Sequence, residues 1–327
     1  MRLESAFDIH GFSGINNVAD PARMPPSKGI MPLREAVNVD IDDSGMISRG
    51  KGFERIQVGD FHSLWPSSDG SFALCVNSGA LKKLTLVYGG LVVTLICPDL
   101  DPMARMQYVE TDDRIFMTNG SFIGYFREDS LHDLADPDQT FKTRMPPGHL
   151  IEFYNNQLYV AVDRLIFYSD ALAWQRTDLR KNVIPFLGRL RMIQAVKDGL
   201  WVSDDHGIYF LAGGTAKELA KIDKTDQPVF AGGFQKIDGE MMGTKEPISG
   251  EWVLMMNADG IFLGGPEGVF FNLTKNKYRP REMGEIASLV RVDPDRHQVV
   301  FVGEVAAQDL SGEMEFNLPI LTMDFRG

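Results

Sequence analysis

The sequence predicts an all-β chain folded as a single β-propeller of about six blades, with five and seven as the neighbouring counts. Three observations predict it. Turn residues recur at a constant step: Asp69, Asp112, Asn155 and Asp198 stand 43 residues apart, the length of a four-stranded propeller blade. Each copy repeats one internal order, an apolar strand, a tight Asp/Asn/Gly turn, a second strand rich in aromatic residues, another polar turn and a third strand. Sustained helical periodicity is almost absent, with "AKELAKI" (216–222) the best short helix candidate.

The elements follow in chain order. Residues 1–33 read as an extended N-terminal arm, because "DPARMPPSKG" (20–29) is turn- and proline-rich. The propeller is expected over 34–327. A hairpin is expected between "AVNVDI" and "MISRG", joined through "DIDDSG" (40–45). Closure of a ring of blades predicts that this hairpin, Ala36–Phe53, pairs with Gln298–Val302 or Phe316–Phe325. First strands are read at "MQYV" (106–109), "LIEFY" (150–154), "MIQAV" (192–196), "WVLMM" (252–256) and "LVRV" (289–292). A three-stranded unit cannot bury both its faces alone. Copies must therefore stack, and radial stacking leaves no long exposed edge.

The step breaks once. From Asp198 to the next turn anchor, Asp259, the interval is 61 residues, 18 more than the repeat, and the weak last anchor, Asp295, follows after 36. The excess reads as a long loop inserted at about 213–250, rich in Gly, Lys, Asp and Glu.

Composition narrows the function classes. A net charge of −12 repels phosphate backbones and anionic membranes, which argues against gripping DNA or binding a membrane surface. The start of the chain shows no apolar signal segment, and "LVYGGLVVTLIC" is too short and too glycine-rich to cross a bilayer. No membrane insertion is expected. Cys75 and Cys97 lie in apolar runs and form no CxxC pair, so they read as buried free thiols of a protein assembled in a reducing cytoplasm.

No catalytic or metal-binding motif emerges. "DIDDSG" resembles the start of a calcium loop, but its twelfth position is Lys51, where a bidentate Glu is needed; a hairpin turn explains the same residues. Six histidines are scattered without HxxxH or HExxH spacing. "GFSG" (11–14) misses the nucleophile-elbow spacing, and "GGPEG" (264–268) lies between two strands as a turn. Trp65, Trp174, Trp201 and Trp252 read as core residues rather than sugar platforms. No enzyme activity and no cofactor are expected.

The candidate contact residues lie outside the repeat strands. They are Arg23 and Met24 in the arm, the basic group with Arg176, Arg180 and Lys181, and the apolar anchors Val229, Phe230 and Phe234 in "PVFAGGF" (228–234).

The stretch 11–56 resembles the opening of a group of tailed-bacteriophage virion proteins, a "GIN" segment followed by an "LxEAxNVDxDxxGxxxRxxGF" hairpin. The matching residues are Gly14, Ile15, Asn16, Leu33, Glu35, Ala36, Asn38, Val39, Asp40, Gly45, Arg49, Gly52 and Phe53. "LYVAVDRLIFYSDALAW" (158–174) and "DGLWVSDDHGIYFLAGG" (198–214) are similar to later parts of that group; the region after about residue 280 is not. The resemblance implies a structural subunit of the tail or head–tail region, of the nozzle or tail-stabilisation type, though those relatives are often longer. It implies a homo-oligomeric ring, six-fold favoured, against portal, adaptor or tail proteins and a tail fibre. Genomic DNA would pass through without specific binding. The location implied is the virion tail, after assembly in the host bacterial cytoplasm. Two other classes stand beside it: a carbohydrate-binding or carbohydrate-active propeller that recognises a receptor, and a peptide-binding propeller, for which the GH…WD signature is missing.

Overall fold

The computed structural model describes residues 11–19, 30–34, 39–41, 46–49, 55–88, 90–111, 113–134, 141–242, 249–280, 284–293, 296–303, 305–308, 314–317 and 320–324. The chain is all-β and of the propeller class, as its turn spacing predicts: among the described residues its main sheets are antiparallel, five of four strands and one of three. They fall into two compact units, residues 55–228 with 266–268, and residues 1–54, 229–265 and 269–327.

The first of these units holds sheets 1 to 4. Sheet 1 runs Phe61–Pro66, Ala73–Asn77, Ala80–Val87 and Gly90–Cys97. Sheet 2 runs Gln107–Glu110, Ile115–Thr118, Ile123–Arg127 and Ser130–Asp133. Sheet 3 runs Leu150–Tyr154, Gln157–Val162, Leu165–Tyr168 and Val183–Pro185. Sheet 4 runs Leu190–Val196, Gly199–Asp204, Gly207–Ala212 and Ala220–Thr225. The first strand of sheet 3 packs beside the first strands of sheets 2 and 4. The middle strands are wholly apolar in places and buried on both faces: Leu158, Val160, Leu200, Trp201 and Val202 have no exposed surface.

The 43-residue step reappears as contacts between successive sheets. Ser63 Oγ accepts the Met106 amide at 2.8 Å, and the buried Glu152 carboxylate accepts the Ala195 amide at 3.1 Å; each pair is 43 residues apart. Thr118 Oγ1 accepts the Gly148 amide at 2.9 Å and lies 2.8 Å from the Gly148 carbonyl. Such polar stitches keep the buried backbone at sheet junctions satisfied. In sheet 3 the turn Asn155–Asn156 has φ of 44° and 61°, the left-handed pair that a two-residue hairpin requires and that Asn tolerates best after Gly.

The second unit contains sheet 5, Phe234–Asp238, Glu251–Asn257, Gly260–Gly264 and Phe270–Asn272. Sheet 6 runs Ile286–Asp293, Arg296–Gly303 and Ile320–Asp324, with the hairpin Val305–Gln308 and Met314–Asn317 between its last two strands. One core joins them: Phe230, Ile237, Trp252, Leu254, Met256, Ile261, Leu263, Ile286, Val299 and Phe301.

Four expectations are corrected. Asp259 lies in the second turn of sheet 5, not the first, so "WVLMM" is a second strand and the alignment slips there by one strand. The supposed loop insertion at 213–250 accordingly contains the last strand of sheet 4 and the first strand of sheet 5. "AKELAKI" is not a helix: its end begins the strand Ala220–Thr225, paired to Ile208–Ala212. The hairpin of Val39–Ile41 with Ile47–Arg49 forms as read, but among the described residues it pairs with neither Gln298–Val302 nor the C-terminal strands. Gln298–Val302 and Ile320–Asp324 pair with each other in sheet 6, where Gln298–Val302 is already flanked on both sides.

The described part of the N-terminal arm is tied down. Gly11–Ile15 pairs in parallel with Ile30–Leu33. Asn16 Oδ1 accepts the amides of Val18 and Ala19, at 3.2 and 3.0 Å. Asn17 reaches across 262 residues: its Nδ2 donates to the Arg279 carbonyl at 2.9 Å, and its Oδ1 accepts the Arg279 amide at 3.0 Å. Its own amide donates to the Lys277 carbonyl. The side chain thus imitates one rung of a β-ladder.

Candidate interaction surface

The sequence-predicted contact residues separate into three fates. Arg23 and Met24 lie outside the described residues. Val229 is fully buried, Phe230 is nearly so in the core of sheets 5 and 6, and Phe234 is half-buried at the head of its strand. The reading of these three as free anchors fails because the segment around them is a folded-in connector. Phe230 donates its amide to Met256 and accepts that of Gly233, and Ala231 accepts the amide of Ile286. Gly232 sits at φ +75°, where an added Cβ would fall 1.9 Å from the Ile286 carbonyl oxygen, so only glycine fits.

The basic group is largely neutralised within the chain. Arg176 Nε lies 3.1 Å from Asp170 Oδ2, and Lys142 Nζ lies 2.8 Å from Asp170 Oδ1. Burial works against the charge of Asp170, yet hydrogen bonds from Lys142 and Asn182 and the nearby Arg176 hold its carboxyl below the usual range. Arg180 pairs with Asp178 at 3.1 Å and covers the Phe141 ring at 5.1 Å. Lys181 is exposed. The segment is an internally stitched excursion of sheet 3, clamped by the short pairing of Thr143–Arg144 with Arg176–Thr177.

None of the four tryptophans is an exposed platform. Trp201 is fully buried against Phe210, Trp252 is buried, Trp65 stacks on Tyr108, and Trp174 packs against Phe116 and Phe153 beneath the Arg114 guanidinium. Among the described residues, no three His, Cys, Asp or Glu side chains converge on a metal-sized point. A cleft at the end of sheet 1 is lined by Cys97, Asp99, Asp101, Phe122 and Asp133. Burial, then Asp99 and Asp133, push the Cys97 thiol up, which suppresses thiolate chemistry there.

The surface feature that motif reading missed is the outer hairpin of sheet 1, Ala80–Val87 with Gly90–Cys97. Its inner end packs into the core with Leu74, Val76 and Met117 through Leu81, Ile96 and Cys97. The rest of it projects from that core: Leu86 is 77% exposed, Leu95 58%, and Val87, Val92 and Tyr88 are exposed as well. Two eight-residue strands give it the reach, since the outer strands of sheets 2, 3 and 5 have four, three and three residues. The signal was present in the sequence as "LVYGGLVVTLIC", an apolar run too long for a strand buried in a short blade.

No family model and no curated protein matches this chain. Solved structures similar to it include the extracellular domain of BT4673 from B. thetaiotaomicron, at 11% identity and a TM-score of 0.45, covering 79% of this chain and 33% of that one. The WD40 β-propeller domain of Doa1 is similar at 10% identity and a TM-score of 0.45, covering 82% and 85% of the two chains. Apo AztD from Citrobacter koseri is similar at 11% identity and a TM-score of 0.43, covering 80% and 89%. The chain thus spans about a third of the BT4673 chain.

Proposed function

We propose that the protein is a structural, self-associating subunit of a tailed-phage virion, placed in the tail or head–tail region as the resemblance of residues 11–56 implies. The observation that carries this reading is the projecting apolar hairpin Ala80–Cys97. A chain that works alone loses solubility by keeping such a surface, whereas an assembly subunit covers it. The "GIN" segment supports the reading further. Its Asn16 and the following Asn17 have defined structural work, capping a turn and holding residues 277–279. A ring of copies around the DNA channel, with portal, adaptor or tail proteins as neighbours, belongs to the same proposal. An acidic chain suits it, because DNA slides past without phosphate contacts that release counterions.

The test is made in the virus that encodes the chain. Virions purified after the gene is silenced should lack the protein and lose tails or infectivity, and wild-type particles should carry several copies each. Complete, infectious particles without the chain would overturn the proposal.

A further inference from the structure

We propose that the outer edge of sheet 1, strand Gly90–Cys97, is where a second copy of this chain docks, edge to edge about a two-fold axis. This deepens the self-association read above and rests on it for biological setting, but not for its test.

The argument begins with how the other edges are protected. The outer strand of sheet 2 is four residues long and ends in His132 and Asp133. That of sheet 3 is three residues and ends in Pro185. That of sheet 4 carries Lys221, Asp223 and Lys224. The outer strand of sheet 5 has three residues, and that of sheet 6 has five. Shortness, proline and charge are the devices that stop strand edges from pairing with other chains. Strand Gly90–Cys97 has none of them: eight residues, no charge and no proline, with no strand on its outer edge among the described residues.

The occupant follows from charge. A chain of net charge −12 repels its own copies across most of its surface, so self-contact is favoured where charge is absent. This strand is uncharged along its whole length. In antiparallel self-pairing centred on Val93 or on Thr94, every opposed pair joins two uncharged side chains, such as Leu91 with Leu95 or Val93 with Leu95. Of the exposed side chains, Val92, Val93 and Leu95 stand on the edge strand itself, with Leu86 and Val87 on the strand behind it, so the contact is at the small end of protein interfaces and is held mainly by its new backbone ladder. A two-fold contact closes after two copies, so it joins chains, or rings of chains, in pairs.

The experiment is the mass of the purified full chain by light scattering and sedimentation, with the variant Val92→Lys/Thr94→Lys beside it. Both positions are exposed, so the fold should survive, which circular dichroism and thermal melting would verify. In either register the lysines of two copies oppose one another. Wild type should run at twice the monomer mass, and the variant should dissociate at least about a hundredfold more readily. Amide exchange in residues 90–97 of the wild type should slow as protein concentration rises, a readout that needs no variant. A wild-type chain that stays monomeric, a variant that dimerises equally well, or exchange independent of concentration would each overturn the proposal. A dimer found in a chain that is absent from virions would leave this inference standing and remove the virion reading.

Discussion

At the scale of single residues, three positions carry testable weight. Asn17 links the arm to residues 277–279 with a reciprocal pair of hydrogen bonds. Asn17→Ala removes both and should cost about 1–2 kcal/mol in denaturant unfolding; Asn17→Asp should recover only the part in which Oδ1 accepts. Equal stability of Asn17→Ala and wild type would show that the link is ornamental. Gly232→Ala forces a Cβ against the Ile286 carbonyl at a left-handed φ, and a loss of roughly 2–3 kcal/mol is expected. Gly214→Ala, where a Cβ meets nothing within 4 Å, serves as the control. Asp170 gives a pH signature. Its folded pKa is held below the usual value, so its contribution is complete above an unfolded pKa of about 3.9 and fades as pH falls through the lower folded value. Asp170→Asn should therefore lower the melting temperature at neutral pH, with the gap to wild type closing in acid. A gap that persists unchanged in acid would mean that shape, not charge, holds residues 142, 176 and 182 together.

At the scale of elements, turn chemistry made most of the fold legible and also produced its main misreading. Asp69, Asn155 and Asp198 follow the first strands of sheets 1, 3 and 4, and their spacing announced the blades. Asn257 to Gly260 has the same chemistry but joins the second and third strands of sheet 5. A tight polar turn looks alike wherever it falls in a meander, so the register slipped by one strand and a strand was mistaken for a loop. "AKELAKI" failed for another reason: its residues favour a helix, but pairing with Ile208–Ala212 overrides so weak a preference. The burial of Phe230 was illegible because it depends on sheet 6, which is far along the chain. The outer hairpin of sheet 1 was visible as an apolar run, but exposure is a property of neighbours, and no run of letters displays it. The core strands should be the least forgiving elements. Trp201→Ala, in the fully buried second strand of sheet 4, is expected to cost about 3–5 kcal/mol, and an equilibrium unfolding curve with an unchanged midpoint would contradict the packing described.

At the scale of the whole molecule, charge and surface oppose each other, and their balance predicts how association responds to salt. Every copy carries a net charge of −12, so two copies approaching by any face feel a long-range repulsion that reaches about 10 Å at ~0.1 M salt and shrinks as salt rises. The strand Gly90–Cys97 contributes no charge of its own and no ion pair to the contact. Its attraction comes from apolar burial and backbone hydrogen bonds, neither of which is screened. Added salt therefore removes an opposing force and leaves the favourable ones intact, so the dimer should tighten from low to moderate ionic strength. An interface built instead on the basic group would behave in the opposite way, since Arg180 and Lys181 could only meet carboxylates of the partner, and salt would weaken that contact. Sedimentation equilibrium across a salt series separates the two. Association that strengthens, and that Val92→Lys/Thr94→Lys abolishes at every salt concentration, places the contact on the uncharged edge. Association that weakens with salt and disappears in Arg180→Ala/Lys181→Ala would move it to the excursion of sheet 3.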